Sequence, residues 1–422
     1  MAKSVKKPVE TPPYLKSVRI RDYAPLRDAK VSFKPGLNII IGGNGAGKTR
    51  FLTLARELVD LDQGHFTGLG CQLIIQANKR IKVEFKKEKV NAVDLARETF
   101  RFVDAPQQLL IRVDVNGSIR EAGTLAHALW PDQSLLFLTY LPVIIRHGIP
   151  TTGLPIIEES ADWSLKDRTI SADLKSGKRY IYELEGQFKQ QLFRKIFAEV
   201  RGHFPELQPK PPHSAEWVRE RIKIITEAYV LHFNNYLPLY SPIQCIRLVE
   251  TFLVYYTASQ DEYIIKGLVL EYYLNNEWLP FSKLSDGTKR LFYIMTELLS
   301  PFTLIQSVEG KKPVWQDASK IIFLEEPELG IHPAQLHKLL SLIREVSREH
   351  QVIMTTHSPQ VLDMLTEKEL DRITVCTLDQ KKGTQFHKLG RQKQQQAREY
   401  MQEVGFLSDY WRYSFLEETD TE

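Results

Sequence analysis

The chain has 422 residues, enough for one large domain with an insertion or for two to three domains. Hydrophobic residues make up 43% and charged residues 26% of the chain, which is typical of a globular protein with a substantial core. The 56 basic and 52 acidic residues nearly balance, so a net charge of +4 excludes bulk attraction to nucleic acid or membranes.

The ends and the cysteines indicate a cytoplasmic protein that does not contact a membrane. Cys71, Cys245 and Cys376 are scattered, which fits a reducing compartment and predicts neither a disulfide framework nor a zinc site. The basic N-terminus has no apolar segment behind it, so it does not resemble a secretory signal. The longest apolar run, residues 135–145, is too short to span a bilayer.

The first third of the chain predicts mostly short strands. Residues 18–20, 31–33 and 37–41 are rich in β-branched side chains, and the last of these runs leads into a glycine-rich loop. Further short strands are predicted at 72–75, 81–85, 109–115 and 135–140. After Thr49, apolar residues recur on one face of a helix: Phe51, Leu52, Ala55, Leu58 and Val59.

The middle of the chain, residues 146–245, is predicted to be a mainly helical insertion or arm. Apolar residues recur every four positions from Leu184 to Val200, and a proline-rich break follows. A second helix is expected to begin at Ser214, which is a good N-cap residue. Neither helix has sustained heptads, so no long coiled coil is predicted. Beyond the insertion, helices and strands alternate as in a sheet with parallel members.

The loop at residues 42–49, G-G-N-G-A-G-K-T, matches the phosphate-binding pattern G-x-x-x-x-G-K-T in full. Its glycines let backbone N–H groups approach a phosphate, and the following helix presents its N-terminus to the anion. Lys48 is expected to bridge the β- and γ-phosphates of ATP, and the Thr49 hydroxyl to bind Mg²⁺. The predicted nucleotide contacts in this stretch are Gly42, Gly43, Asn44, Gly45, Ala46, Gly47, Lys48, Thr49 and Arg50.

Two later segments place polar residues directly after apolar strands. The run 321–324 is followed by Glu325, expected to hold Mg²⁺, and by Glu326, expected to deprotonate the attacking water. Adjacent strand residues point to opposite faces, so the two acids should have different roles. A third strand, at 352–355, is followed by His357, which can bind a γ-phosphate oxygen and sense its loss.

The segment 284–290, L-S-D-G-T-K-R, opens another helix and predicts a second anion site. Ser285 and Gly287 stand at the N-terminus of this helix, where backbone N–H groups are free. Because the chain already has one phosphate site at Lys48, the economical interpretation is that this second site serves the ATP held by another subunit.

Together these motifs resemble the ATP-binding-cassette (ABC) class, and 284–290 is similar to the signature motif of that class. The forms E-E-P-E-L-G-I-H-P and T-T-H-S-P resemble the group of RecF, SMC and OLD (overcoming lysogenisation defect) ATPases, and most of all the OLD-like ATPases of bacterial phage-defence operons. The resemblance covers residues 15–55 and 280–380. It implies an α/β P-loop head, with a mixed and parallel sheet flanked by helices and a helical insertion.

By this resemblance the head is divided in sequence. Residues 14–145 form its first part with the Walker A loop, 246–380 its second part with the remaining motifs, and 381–422 a tail. The resemblance also implies an ATP-sandwich homodimer or higher oligomer, in which Ser285 and Gly287 contact ATP in trans and 329–332 lies at the seam. His357 corresponds to the switch histidine. Gln72 and Gln76 are the candidates for the Mg²⁺-sensing glutamine.

Two features of the motifs bear on function. Glu325 stands where many ABC proteins carry Asp, a variant that the OLD-like group shares. OLD nucleases carry a Toprim domain after the switch histidine, but residues 358–422 have no D-x-D set and are too short for it. The resemblance therefore implies a separate effector, a nuclease or toxin, in an anti-phage system.

Other classes of nucleotide-binding protein fit the sequence less well. A transporter ATPase does not need the 236 residues that separate Lys48 from Ser285, an SMC clamp needs long heptads, and a GTPase needs an N-K-x-D loop. A RecF-like DNA-binding ATPase stays open as the alternative to an effector-controlling sensor. Basic clusters at 86–89, 381–382 and 388–393 allow contact with DNA, although each alone is better explained as a solvated face.

Overall fold

The computed structural model describes residues 14–60, 72–76, 80–89, 107–115, 118–122, 142–145, 162–166, 169–173, 179–183, 214–258, 262–299, 303–305, 314–316 and 321–414. The chain divides into two compact units. The first comprises Met1–Ile144, Ser319–Pro327 and Arg344–Glu422, and the second Ile145–Ala318 and Glu328–Ile343. Among the described residues, no helix combines the length and the apolar character needed to cross a membrane.

A six-stranded mixed sheet, the central sheet, forms the core of the first unit. Its strands, in the order β22-β21-β3-β20-β19-β8, are Gly383–Lys388, Ile373–Asp379, Leu37–Ile41, Gln351–Thr355, Ile321–Glu325 and Pro142–Ile145. Strands β21, β3, β20 and β19 run parallel, whereas β22 is antiparallel to β21. Every residue of β3 and β20 is buried, as expected for parallel strands covered on both faces.

The first unit also contains a second sheet and several helices. An antiparallel sheet has the order β2-β1-β4-β5-β6-β7, formed by Leu26–Ser32, Tyr14–Tyr23, Gln72–Gln76, Arg80–Lys89, Gln107–Val115 and Ser118–Ala122. The long helices are α1 (Lys48–Asp60), α6 (Arg391–Glu403) and α7 (Leu407–Ser414). The predicted strand at 37–41 and the predicted helix after the loop are thus both confirmed, and Phe51, Leu52 and Ala55 are buried.

One buried side chain ties β20 to two other segments of the first unit. The Gln351 amide accepts a hydrogen bond from the Leu15 N–H (2.7 Å) and donates to the carbonyl oxygens of Leu15 (2.9 Å) and Lys34 (3.0 Å). Gln351 is only 3% exposed, so these hydrogen bonds satisfy polar groups that water does not reach. They fix the N-terminal end of β20 against β1 and against the segment that leads into β3.

The second unit is organised around a cluster of buried aromatic side chains. Its helices are α2 (Ala215–Asn234), α3 (Leu237–Tyr240), α4 (Asp286–Leu299) and most of α5 (Pro333–Val346). Tyr229 and Phe233 of α2 contact each other with ring centroids 4.7 Å apart, and Tyr272 meets Phe292 of α4 edge-on at 5.1 Å. The predicted N-cap is confirmed, because the Ser214 hydroxyl accepts a hydrogen bond from the Trp217 N–H at 3.1 Å.

The strands of the second unit correct part of the sequence interpretation. Residues 146–245 were expected to be mainly helical, yet β9, β10 and β11 lie within them, paired in a sheet of order β11-β10-β9-β14-β13. These strands are Arg179–Glu183, Thr169–Asp173, Asp162–Lys166, Glu262–Lys266 and Leu253–Thr257. Larger side chains alternate with small or polar ones in 162–173, and this period of two was overlooked because each run has only five residues.

Two short sheets complete the second unit, β12-β15-β16 (Cys245–Leu248, Leu270–Leu274 and Glu277–Pro280) and β17-β18 (Thr303–Ile305 and Val314–Gln316). The helix predicted at 184–200 and the strand predicted at 135–140 lie outside the described residues. The described part of the tail, 381–414, contains more regular structure than expected, since β22, α6 and α7 belong to it, and its residues Leu389, Ala397 and Leu407 are buried. The α/β class with mixed and parallel pairing is confirmed.

Candidate functional site

The predicted phosphate loop leaves the carboxyl end of β3 in a conformation that requires glycine at two positions. Gly42 has φ of 150°, and a Cβ there would lie 2.1 Å from the Cys376 carbonyl oxygen. Gly47 has φ of 103°, and its Cβ would lie 2.4 Å from Thr384 Oγ1. Neither position has room for a side chain, because strands β21 and β22 pack directly against the loop.

Lys48 lies over this loop, and the two residues after it face outward. The Lys48 side chain is buried, and its Nζ donates hydrogen bonds to the carbonyl oxygens of Gly42 (2.6 Å) and Gly43 (3.0 Å). Thr49 and Arg50, in the first turn of α1, are exposed, as are Gly43, Asn44 and Gly45, while Ala46 is buried. The Arg50 guanidinium lies 5.1 Å from the ring centroid of Tyr23, an aromatic residue that the sequence patterns did not identify.

Glu325 ends β19 beside a threonine of the neighbouring strand. Its register partner on β20 is Thr355, and Glu325 is only 5% exposed. The Thr355 Oγ1 is buried and has no hydrogen-bond partner among the described residues. A carboxylate and an unpartnered hydroxyl oxygen at the ends of paired strands are hard oxygen ligands of the kind that Mg²⁺ prefers.

Glu326 has an unusual backbone conformation and lies beside His357. Its φ is +43°, in the left-handed region, which costs a non-glycine residue about 1 to 3 kcal/mol. The Glu326 N–H donates to the Thr355 carbonyl oxygen at 3.0 Å, and its Oε1 lies 2.9 Å from His357 Nε2. The side chain of Glu326 is 15% exposed and that of His357 34% exposed, so this pair remains accessible to a ligand.

The strand register brings these residues to one edge of the central sheet. Glu325, Thr355 and Ile40 are successive partners across β19, β20 and β3, so the loop, both acids and His357 all follow the carboxyl ends of parallel strands. Ligands bind at this edge in open α/β sheets. No group of three or more His, Cys, Asp or Glu in the described ranges could hold a metal, so an Mg²⁺ here would also need hydroxyl, water or phosphate ligands.

The signature segment lies in the second unit, where it caps α4. The Ser285 hydroxyl accepts a hydrogen bond from the Thr288 N–H at 3.3 Å and lies 2.9 Å from Thr288 Oγ1. Ser285 is exposed, so this helix N-terminus faces solvent. Gly287 packs against the turn before α5, because a Cβ at Gly287 would lie 2.8 Å from the Gly330 carbonyl oxygen.

The turn beside the signature segment contains the predicted seam residues. Gly330 has φ of +69°, and the Ile331 N–H donates to the Glu328 carbonyl oxygen at 3.2 Å. Leu329 is 36% exposed and His332 is also exposed, whereas Ile331 is buried. The second unit therefore presents 285–287 and 329–332 next to each other.

One lysine of the third basic cluster, Lys388, is half-buried, whereas Arg391 of the same cluster is exposed. The Nζ of Lys388 donates to Thr374 Oγ1 at 2.8 Å, and burial lowers the pKa of Lys388 to about 8. Lys34 and Arg372 lower this pKa further and Asp371 opposes them. Gln72 and Gln76, considered as Mg²⁺ sensors, begin and end β4 in the antiparallel sheet, and their role stays a prediction.

The chain is similar to one protein-family model and to several known proteins. Residues 232–363 match the protein-family model described as "AAA domain, putative AbiEii toxin, Type IV TA system". The Septu protein PtuA of Bacillus thuringiensis is 22% identical over 357 residues, which cover 84% of this chain and 74% of that protein. The Retron Ec83 probable ATPase of Escherichia coli is 26% identical over 96 residues, 23% of this chain and 17% of that protein.

Two further similarities concern DNA repair and chromosome proteins. The DNA replication and repair protein RecF of Lactococcus lactis subsp. cremoris is 33% identical over 78 residues, 18% of this chain and 21% of that protein. The solved SmcHead bound to the C-winged helix domain of ScpA has a TM-score of 0.45 at 12% identity, covering 90% of this chain and 99% of that one. Residues 232–363 are therefore similar to an AAA-type ATPase domain, in agreement with the motifs recognised in the sequence.

The close approach of Gly287 to Gly330 predicts whether an alanine at position 287 stabilises or destabilises the fold. Helix propensity alone favours Gly287→Ala by about 1 kcal/mol, since Gly287 lies in the first turn of α4. The clash with the Gly330 carbonyl oxygen should outweigh this gain and lower the free energy of unfolding by about 1 kcal/mol or more. Urea denaturation measures the change, with Asp286→Ala in the same turn as the control. Stabilisation by Gly287→Ala would contradict the close packing.

Proposed function

We propose that this chain dimerises around two ATP molecules, hydrolyses them and thereby controls a separate effector in an anti-phage defence system. The observation that carries the proposal is the meeting of the phosphate loop, Glu325, Glu326 and His357 at one edge of the central sheet. The chain is an ATPase of the AAA/ABC class related to defence proteins. The dimer, the chemical steps and the effector belong to the proposal.

The loop and its lysine supply the binding of phosphate. Backbone N–H groups of 42–49 and the N-terminus of α1 surround the β-phosphate, and Lys48 leaves the carbonyl oxygens of Gly42 and Gly43 to bridge the β- and γ-phosphates. Thr49, Glu325 and the nearby Thr355 hydroxyl supply oxygen atoms for Mg²⁺. When bound, Mg²⁺ neutralises the charge that develops on the phosphate oxygens.

Glu326 is the general base of the proposed reaction. Its carboxylate accepts a proton from the water that attacks the γ-phosphate, and the water oxygen forms the new bond to phosphorus as the bond to ADP breaks. His357 lies 2.9 Å from Glu326, so its Nε2 can orient that carboxylate or donate to a γ-phosphate oxygen. Glu326 lies one residue beyond the end of β19 and has a left-handed backbone, so its role can differ from that of Glu325.

The exposed signature segment supports closure by a second copy. The Ser285 hydroxyl and the N-terminus of α4 provide hydrogen-bond donors and a partial positive charge at an exposed position. A γ-phosphate held by the loop of one subunit is a suitable anion for the Ser285 of another. The exposed Leu329 beside it would then lie at the seam between the copies.

The relatives support a role in anti-phage defence rather than in DNA repair. The match to the Septu protein covers 84% of this chain, and the match to the retron ATPase covers 23% of it. Both are defence proteins. In this proposal ATP binding and hydrolysis open and close the dimer, and this movement restrains or releases an effector, a nuclease or toxin carried on another chain.

Two substitutions test the ATPase site. Lys48→Ala should weaken ATP binding by about 100-fold, because a charge-assisted contact to phosphate is lost. Glu326→Gln should keep ATP binding, slow hydrolysis by about 100-fold or more and accumulate an ATP-bound dimer. Isothermal titration, phosphate release and analytical ultracentrifugation measure these effects, with the exposed Glu349→Gln as control. Full turnover by Glu326→Gln would place the base elsewhere.

Mixing two inactive variants tests the trans arrangement. Lys48→Ala disables the loop, and Ser285→Arg blocks the signature segment at an exposed position that tolerates the larger side chain in the monomer. In a mixed dimer, one site combines the intact Lys48 of one copy with the intact Ser285 of the other. About half the dimers are mixed, so about a quarter of the normal rate should return. No recovery, despite mixed dimers in a pull-down, would exclude the trans site.

The match to a RecF protein favours DNA binding as the second candidate function. A RecF-like protein making about six phosphate contacts loses about 1,000-fold in DNA affinity between 50 and 200 mM salt. We expect a weaker and much flatter salt dependence for this chain, because Lys388 of one basic cluster is half-buried and hydrogen-bonded to Thr374. Fluorescence anisotropy with duplex DNA, with and without ATP, measures the slope. A steep slope would favour the repair function.

A further inference from the structure

The hairpin β21–β22 supports the phosphate loop from behind at three points. The Cys376 carbonyl leaves no room for a side chain at Gly42, and Thr384 leaves none at Gly47. The Phe386 ring contacts the Phe51 ring of α1 with centroids 4.6 Å apart. None of these hairpin residues belongs to a phosphate-binding motif, yet they line the rear of the loop and the first turns of its helix.

Thr384 makes the most specific of these contacts. Its side chain is completely buried, and Oγ1 donates a hydrogen bond of 2.8 Å to the carbonyl oxygen of Ala46. Its own N–H donates to the Pro25 carbonyl oxygen at 3.0 Å, so the residue is held from both sides. The Cys376 thiol also reaches the Ala46 oxygen, but at 3.5 Å and as a weak donor.

A bond to the Ala46 oxygen determines the direction of the next N–H group. The peptide unit is planar and trans, so the carbonyl of Ala46 and the N–H of Gly47 point in opposite directions. Rotation of this peptide by a half-turn mainly changes ψ of Ala46 and φ of Gly47, and glycine accepts either sign of φ. The loop sequence therefore permits both orientations of this peptide, and the hydroxyl of Thr384 selects one.

We propose that Thr384 is a positioning residue for nucleotide binding, which holds the Ala46 carbonyl so that the Gly47 N–H is available to the β-phosphate. The inference rests on the proposed function of the loop and adds a residue outside its motif. The β-phosphate is present in both ATP and ADP, so loss of the hydroxyl should weaken the two nucleotides alike. Hydrolysis at saturating ATP depends on Glu326 and should change little.

The experiment compares three substitutions at Thr384 in the full chain. Thr384→Val keeps the shape and removes the hydroxyl, while Thr384→Ser and Thr384→Ala differ from each other by the hydroxyl alone. Thr374→Val, on the same hairpin but bonded to Lys388 and not to the loop, is the matched control. The readouts are the Kd of ATP and ADP, kcat at saturating ATP, and the thermal midpoint.

We expect Thr384→Val and Thr384→Ala to raise both Kd values about tenfold, which corresponds to about 1.4 kcal/mol. Thr384→Ser should stay within about threefold of the unaltered protein, as should Thr374→Val, and kcat should stay within about twofold throughout. If Thr384→Val does not fold, the Ser and Ala pair decides the question.

Three outcomes would overturn the inference. These are an unchanged Kd in both Val and Ala variants, equal weakening by Ser and Ala, or a lower thermal midpoint with normal affinity. The last two would assign Thr384 to packing. Failure of the proposed function is seen separately, because the unaltered protein would then bind neither nucleotide.

Discussion

The parallel pairing of β19, β20 and β3 is the constraint on which the rest of the site depends. Three strands that run in one direction end at one edge, and their register puts Glu325, Thr355 and Ile40 side by side. Because every residue of β3 and β20 is buried, both faces of these strands pack against other parts of the chain, and a change of register would disrupt the packing on both faces. The positions of the polar residues at the carboxyl ends of the strands are therefore determined by the packing of the buried residues within the strands.

The sequence predicted what local patterns determine. The strand at Leu37–Ile41, the cap at Ser214 and the acids after an apolar strand follow from composition, capping chemistry and side-chain period. The strands β9 to β11 were missed because runs of five residues carry little periodic signal. Thr384 was missed for another reason, since it contacts a residue 338 positions away and no local pattern reports such a contact.

The candidate site also shows which parts of a motif are chemical and which are steric. Gly42 and Gly47 are needed because other strands occupy the space where their side chains would be. Gly45, by contrast, has an open surrounding and needs only its positive φ of 77°. The same pattern of glycines thus combines two different demands, and only the structure separates them. The signature glycine, Gly287, belongs to the crowded kind.

At Glu326 the backbone conformation and the proposed role of the side chain favour different residues. Glycine and asparagine adopt a φ of +43° with less strain than glutamate. Either substitution would therefore lower the backbone strain, but each would remove the carboxylate. Aspartate would also fit the turn more easily, but its shorter side chain would withdraw the carboxylate from His357. If Glu326 is the base proposed above, selection for a more stable fold and selection for catalysis oppose each other at this position, and the presence of glutamate favours catalysis.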